Sequence, residues 1–207
     1  RWGPGLGERS SSATYTMKIQ PDGKIILASS CSVSGTAAGP NGTPLGTDLC
    51  LVRYNANGSL DTSFGGNTVF SYGGNQNYPG NNNIMDPGKV FTVTGTNTVN
   101  GATNGFGGIP VRIQIAPDGR IFVFGYNSYD TTPALGSRNK SFVAVYSSNG
   151  ALQNIASLVD TSGNPTNGYG TTRIFDGDLL SNGDFIAVGY QVTLVSSNPQ
   201  AFSPSRW

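Results

Sequence analysis

The sequence has no histidine, and charged residues make up only 11% of its 207 positions. Glu8 is the single glutamate, and there are two cysteines. Each scarcity removes a class of chemistry. Without histidine there is no Ser-His-Asp or Cys-His nucleophile, and the commonest zinc sites lose a ligand. With one glutamate, a glycosidase-type carboxylate pair would have to be built from aspartates. A formal net charge of +1 leaves no cluster of Lys and Arg to neutralise phosphates, so nucleic acid is not expected as a partner. No run approaches the roughly 20 apolar residues that span a bilayer. The chain opens at Arg1, and neither end carries a signal peptide or lipidation pattern. It reads as a processed or excised part of a longer product.

What is abundant is glycine, 30 residues of it, with many Asn, Ser and Thr. Such a composition is poor in helix formers and rich in turn and strand residues. Aromatic and branched apolar residues recur at regular places, which argues against disorder. The expectation is an all-β chain. With no helix expected, a phosphate-cradling glycine loop ahead of a helix is excluded too.

One hairpin is written three times: IQPDGKIILAS at 19–29, IAPDGRIFVFG at 115–125 and LLSNGDFIAVG at 179–189. Each has an apolar strand end, a tight turn closing on Gly and a run of large apolar residues. In the first turn Pro21 fixes φ, Asp22 supplies a side-chain acceptor and Gly23 takes positive φ. The returning strands are almost continuously apolar, as in Ile121, Phe122, Val123 and Phe124, so both of their faces must be covered. Burying each such side chain is worth about 1.5–3 kcal/mol. Neighbouring copies must stack to achieve it. A second repeated hairpin, LVRYNANGSL at 51–60 and VAVYSSNGAL at 143–152, gives each unit about four strands, the content of one propeller blade.

The fold expected is therefore all-β and β-propeller-like, with about three repeated four-stranded antiparallel units, incomplete at the ends. Residues 1–12 read as a linker or arm, 13–72 as unit 1, 111–170 as unit 2 and 171–207 as a partial unit 3. The intervening 73–110 reads as a Gly/Asn-rich insertion in which KVFTVT at 89–94 is an extra strand. Long connections of this kind are usually functional or mobile.

Cys31 and Cys50 flank the loop at 32–49. Antiparallel pairing of the two strands would set them face to face, and a disulfide closing that loop would stabilise by about 3 kcal/mol. Two buried free thiols are the alternative. Neither cysteine has metal-ligand spacing. The Asp176, Asp178, Asp184 cluster lacks the alternating ladder and terminal Glu of a calcium loop, so it reads as carboxylates flanking an exposed hairpin. No catalytic, metal or cofactor residues are assigned. Tyr126 and Tyr190 are candidate glycan contacts through their apolar ring faces, as is Trp207, with packing between blades as the alternative. Asn41, Asn57 and Asn139 fit the glycosylation sequon, although Asn57 is equally explained by its Asn-Gly turn.

Together, IQPDGKIILAS and LVRYNANGSLDTSFGG at 51–66 resemble the delta-60 repeat family of bacterial surface and secreted proteins. The resemblance is close across 16–70, good at 111–152 and partial at 171–190. The second unit departs from it with LQNIASL at 152–158 in place of LDTSFGG, and the third with Ser-Asn-Gly in place of Pro-Asp-Gly. The resemblance implies a propeller-like architecture and an extracellular or cell-surface setting, and it brings no catalytic motif. The expected role is a non-catalytic structural or adhesive module with protein partners or self-assembly and no cofactor. The alternatives are a carbohydrate-binding, lectin-like module that closes a propeller by oligomerisation, and a filament subunit.

Overall fold

The structure is a computed structural model. It describes residues 13–33, 45–66, 83–92, 94, 96–99, 102–105, 107–129, 138–158, 171–194 and 202–206. The arm at 1–12, the Gly/Asn-rich core of the insertion at 73–82, Asn41 and Trp207 lie outside them. Among the described residues every regular element is a strand.

The first sheet is built from β1 (Ala13–Ile19), β2 (Ile25–Val33), β3 (Leu45–Tyr54), β4 (Asn83–Asp86) and β5 (Lys89–Thr92) in the order β1-β2-β3-β5-β4. β6 (Thr96–Val99) and β7 (Ala102–Gly105) form a separate hairpin. The second sheet runs β11-β10-β9-β8 from β8 (Gly107–Ile115), β9 (Ile121–Tyr129), β10 (Arg138–Tyr146) and β11 (Leu152–Leu158). The third is β12 (Thr171–Leu179), β13 (Phe185–Leu194) and β14 (Phe202–Arg206). All pairings are antiparallel. The sheets stack face to face with β1, β8 and β12 as neighbouring inner strands, a propeller-like arrangement that does not close.

The repeated turns fold alike. Gly23, Gly119 and Gly183 sit at φ 83, 85 and 91°, where only glycine is unstrained. Each donates its N–H three residues back, to the carbonyls of Gln20, Ala116 and Leu180. Asp22, Asp118 and Asn182 accept the amide two residues on, each at 3.1 Å. This is the three-residue hairpin loop with a left-handed glycine. Every inner strand also bulges eight residues before its glycine, at Tyr15, Val111 and Phe175.

The two inter-sheet cores follow from the doubly apolar strands. Ile26, Ala28, Leu49, Leu51, Phe64 and Val90 of the first repeat cluster with Ile113, Ile121, Val123, Phe142, Ala144 and Tyr146 of the second. The other face of the second sheet, with Phe122, Phe124 and Val143, clusters with Ile174, Leu179 and Ala187 of the third. Gly177 lies flat on the Phe124 ring, where a Cβ would collide with it.

Three features differ from the expectation. The segment after the first Asn-Gly turn is not a strand. Only Leu60 bridges back to Tyr54. Asp61 then turns the chain by accepting the Ser63 amide at 3.1 Å and its hydroxyl at 2.6 Å, a local bond that outcompetes the ladder. The vacated edge of β3 is taken by β5, so 89–92 belongs to the first sheet and 107–110 to β8 rather than to an insertion. In the second unit the corresponding LQNIASL is β11.

The second difference is the register of the cysteines. Cys31 and Cys50 are bonded, with Cα atoms 6.0 Å apart, but they are diagonal neighbours. Cys31 faces Asp48, and Cys50 faces Ser29. The third concerns β13. Its partner strand β14 comes from the chain's own 202–206, a stretch with no apolar alternation to mark it in advance.

Candidate functional site

Among the described residues two polar clusters tie the repeats together, and the first is built by one position that recurs in all three. Lys18, Gln114 and Asp178 each lie five residues before their turn glycine, on β1, β8 and β12. Stacking brings them into a chain of hydrogen bonds. The Lys18 ammonium donates to Gln114 Oε1 at 3.0 Å, and Gln114 Nε2 donates to Asp178 Oδ1 at 2.8 Å. The amide in the middle relays between a cation at one end and an anion at the other. One step along the same strands, Arg112 Nε lies 3.5 Å from Asp176. Both of these side chains are largely exposed, so this pair contributes little.

The second cluster centres on Arg53 and Asp61, both buried. Arg53 Nε donates to Asp61 Oδ2 at 2.7 Å, and Arg53 Nη1 reaches the Ser148 carbonyl of the second repeat at 2.7 Å. The guanidinium lies 4.6 Å over the Phe64 ring. Lys24 adds a second cation 3.0 Å from Asp61. Burial alone would raise the Asp61 carboxyl, but the Ser63 hydroxyl, Lys24, the Ser63 amide and Arg53 together hold it well below the usual carboxylate range. Asp61 stays ionised, and the clasp stays charged, at any ordinary pH. A third link is neutral: Tyr146 O–H donates to Thr92 Oγ1 at 2.8 Å across the first core.

Tyr126 and Tyr190 hold one register position, in the second and third sheets. Tyr126 is buried; its ring carries the Arg173 guanidinium at 4.3 Å, and its oxygen accepts from Arg173 Nη2 at 2.7 Å. That ring is spent between two sheets and offers no open face to a sugar, which corrects the expectation for Tyr126. Tyr190 is half-buried and packs on the exposed Phe175 ring, 5.5 Å between centroids. Asp176, Asp178 and Asp184 diverge. Asp176 meets Arg112, Asp178 meets Gln114, and Asp184 accepts from Asn182 Nδ2 at 2.7 Å. No group of three metal-ligating side chains converges among the described residues.

A cleft of about 230 Å³ separates the second and third turns, between Pro117, Asp118 and Arg120 on one side and Leu180 to Gly183 on the other. Its charges answer each other. Arg120 Nε donates to Asp118 at 2.7 Å, and the Arg120 amide and side chain hold that carboxyl below its ordinary value.

Neither the ladder nor the clasp was anticipated from the sequence. Three different residue types occupy the ladder column, so no motif marks it. The clasp had a signal, the Arg-Tyr-Asn and Leu-Asp-Thr-Ser-Phe segments that carry the repeat resemblance.

The fold and the inter-repeat contacts define a propeller-like repeat protein. Residues 46–64, which take in most of β3 together with Arg53, Asp61 and Phe64, match a family described as a domain of unknown function (DUF5122) beta-propeller. The chain is similar to the crystal structure of an endo-arabinase from Bacteroides thetaiotaomicron at 14% identity and a TM-score of 0.37, over 95% of this chain and 55% of that one. It thus spans about half the length of that enzyme. No match was found among curated proteins. Among the described residues no helix is long and apolar enough to cross a membrane. The disulfide points to an oxidising environment.

Proposed function

We propose that this chain is a non-catalytic structural or adhesive module of an extracellular bacterial assembly, allied to the delta-60 repeats. One observation carries the reading: both built polar clusters join one repeat to the next. The Lys18–Gln114–Asp178 ladder and the Arg53–Asp61 clasp use their charges to hold sheets in register. A hydrolase would instead aim a pair of carboxylates into a common cleft. The disulfide and the low charge suit a secreted scaffold.

The test is a turnover screen of the purified, oxidised chain against plant and bacterial polysaccharides, with thiol titration of native material. The expected result is no hydrolysis and no titratable thiol. Hydrolysis that survives repurification and disappears with an Asp-to-Asn substitution would refute the proposal.

A second reading, carbohydrate binding, is favoured by the Phe175–Tyr190 pair, two aromatic rings on the open face of the third sheet. Glycan-array binding lost in Tyr190→Ala and retained in Tyr126→Phe would support it; a blank array with folded protein would remove it.

A further inference from the structure

Aligned on Gly23, Gly119 and Gly183, the three sheets share a polarity. One face of each, the front, holds Ile26 and Ala28, then Phe122 and Phe124, then Ile186 and Val188. The opposite face, the back, holds Met17 and Ile25, then Ile113 and Ile121, then Gly177 and Phe185. Both interfaces inside the chain are front to back. Ile26 and Ala28 meet Ile113 and Ile121 in the first core. Phe124 meets Phe185 edge to face at 5.7 Å and lies against Gly177 in the second. Two faces are left over, the front of the third sheet and the back of the first. Both are open: Ile186 and Val188 are each 54% exposed, Met17 is 53% and Ile19 is 59%.

We infer that a second copy of this chain covers these faces, the front of the third sheet of one copy meeting the back of the first sheet of the other. Two copies then close a ring of six sheets through two equivalent contacts. The internal interfaces assign the partners: Val188, in the place of Phe124, meets Met17 and Ile25 of the other copy.

Charge supports the pairing. The ladder ends in the exposed Asp178 carboxylate at the front of the third sheet and begins at the Lys18 ammonium on β1. Adding a copy in the same sense brings the next Lys18 to Asp178 and makes the chain of hydrogen bonds continuous around the axis. The inference rests on the scaffold reading and names its partner.

The experiment is light scattering coupled to size exclusion on the intact, oxidised chain. The expected mass is twice 21.5 kDa. Val188→Asp and Met17→Asp each change an exposed side chain, so each is expected to keep the far-UV dichroism of the parent and to elute at 21.5 kDa. An equimolar mixture of the two is expected to recover the double mass, because each supplies the face the other has lost. A chain carrying both Met17→Cys and Val188→Cys is expected to cross-link between copies and to be released by reductant. A parent that stays monomeric at 0.2 mM (about 4 mg/mL), or a dimer indifferent to both Asp variants, would overturn the inference. An open-ended series of masses would overturn it as well, pointing to a filament. Turnover of a polysaccharide would sink the scaffold reading and leave the dimer standing, so the two failures are distinguishable.

Discussion

Asp61→Ala tests the idea that the clasp, and not surface charge, holds the first repeat to the second. The carboxylate accepts from Arg53 Nε at 2.7 Å, lies 3.0 Å from Lys24 Nζ, and takes the Ser63 amide and hydroxyl at 3.1 and 2.6 Å. Its removal leaves a buried guanidinium without its anion. Breaking such a pair from one side costs about 3–5 kcal/mol. Arg53 keeps the Ser148 carbonyl and the Phe64 ring, which places the expected loss near the lower bound, about 3 kcal/mol.

The double variant Arg53→Met, Asp61→Ala removes both charges and is expected to lose only about 1–2 kcal/mol, because no ion is stranded. Urea denaturation of the oxidised protein, with midpoints compared at unchanged slope, reads both numbers. An Asp61→Ala cost below about 1 kcal/mol, or a double variant that simply adds the two single losses, would refute the reasoning. The pH dependence gives a second handle. Because the folded state holds this carboxyl below its ordinary value, its contribution is complete above about pH 4 and disappears as acid titrates the folded form. The parent should therefore lose stability below about pH 4 more steeply than Asp61→Ala.

Replacing Cys31 and Cys50 together by Ser is expected to lower stability by about 3 kcal/mol, and reductant should bring the parent to the same urea midpoint. Gly177→Ala drives a methyl into the Phe124 ring and should cost about 1–3 kcal/mol; Phe124→Leu in the same chain should return part of it, read by thermal melts. Tyr146→Phe deletes a buried hydrogen bond worth about 1 kcal/mol. Burial pushes that phenol up, so the parent should lose stability as pH rises past about 10, and the Phe variant should lose less.

The turns were legible because their chemistry is local. Pro-Asp-Gly and Asn-Gly carry their acceptor and their left-handed glycine within four residues, and the structure folds them as read. The stacking was legible too, since Ile121 to Phe124 cannot be buried by one sheet. What escaped was decided at a distance or by competition. Leu60 to Gly66 has strand neighbours on the repeat pattern, but Asp61 finds its bond two residues away and leaves the ladder to Lys89–Thr92. The cysteine pairing was visible from spacing, while its diagonal register depends on where β2 and β3 align. Tyr126 looked available as a ring face until Arg173, from another sheet, was laid over it. The ladder mixes Lys, Gln and Asp in one column, so only three-dimensional stacking makes it a unit.

The substituted fourth strand has a consequence for the order in which the chain assembles. Sheet two draws its four strands from one stretch, 107–158, and β10 reaches β11 through only residues 147–151. The corresponding step in sheet one, from β3 to β5, must close the whole of 55–88. On loop length alone that closure costs about 1.7 kcal/mol more in chain entropy. Sheet two is thus the natural nucleus. The β4–β5 hairpin docks late, once Tyr146 is in place to bond Thr92, and it will be the first part of sheet one to fray when the protein is pulled or warmed.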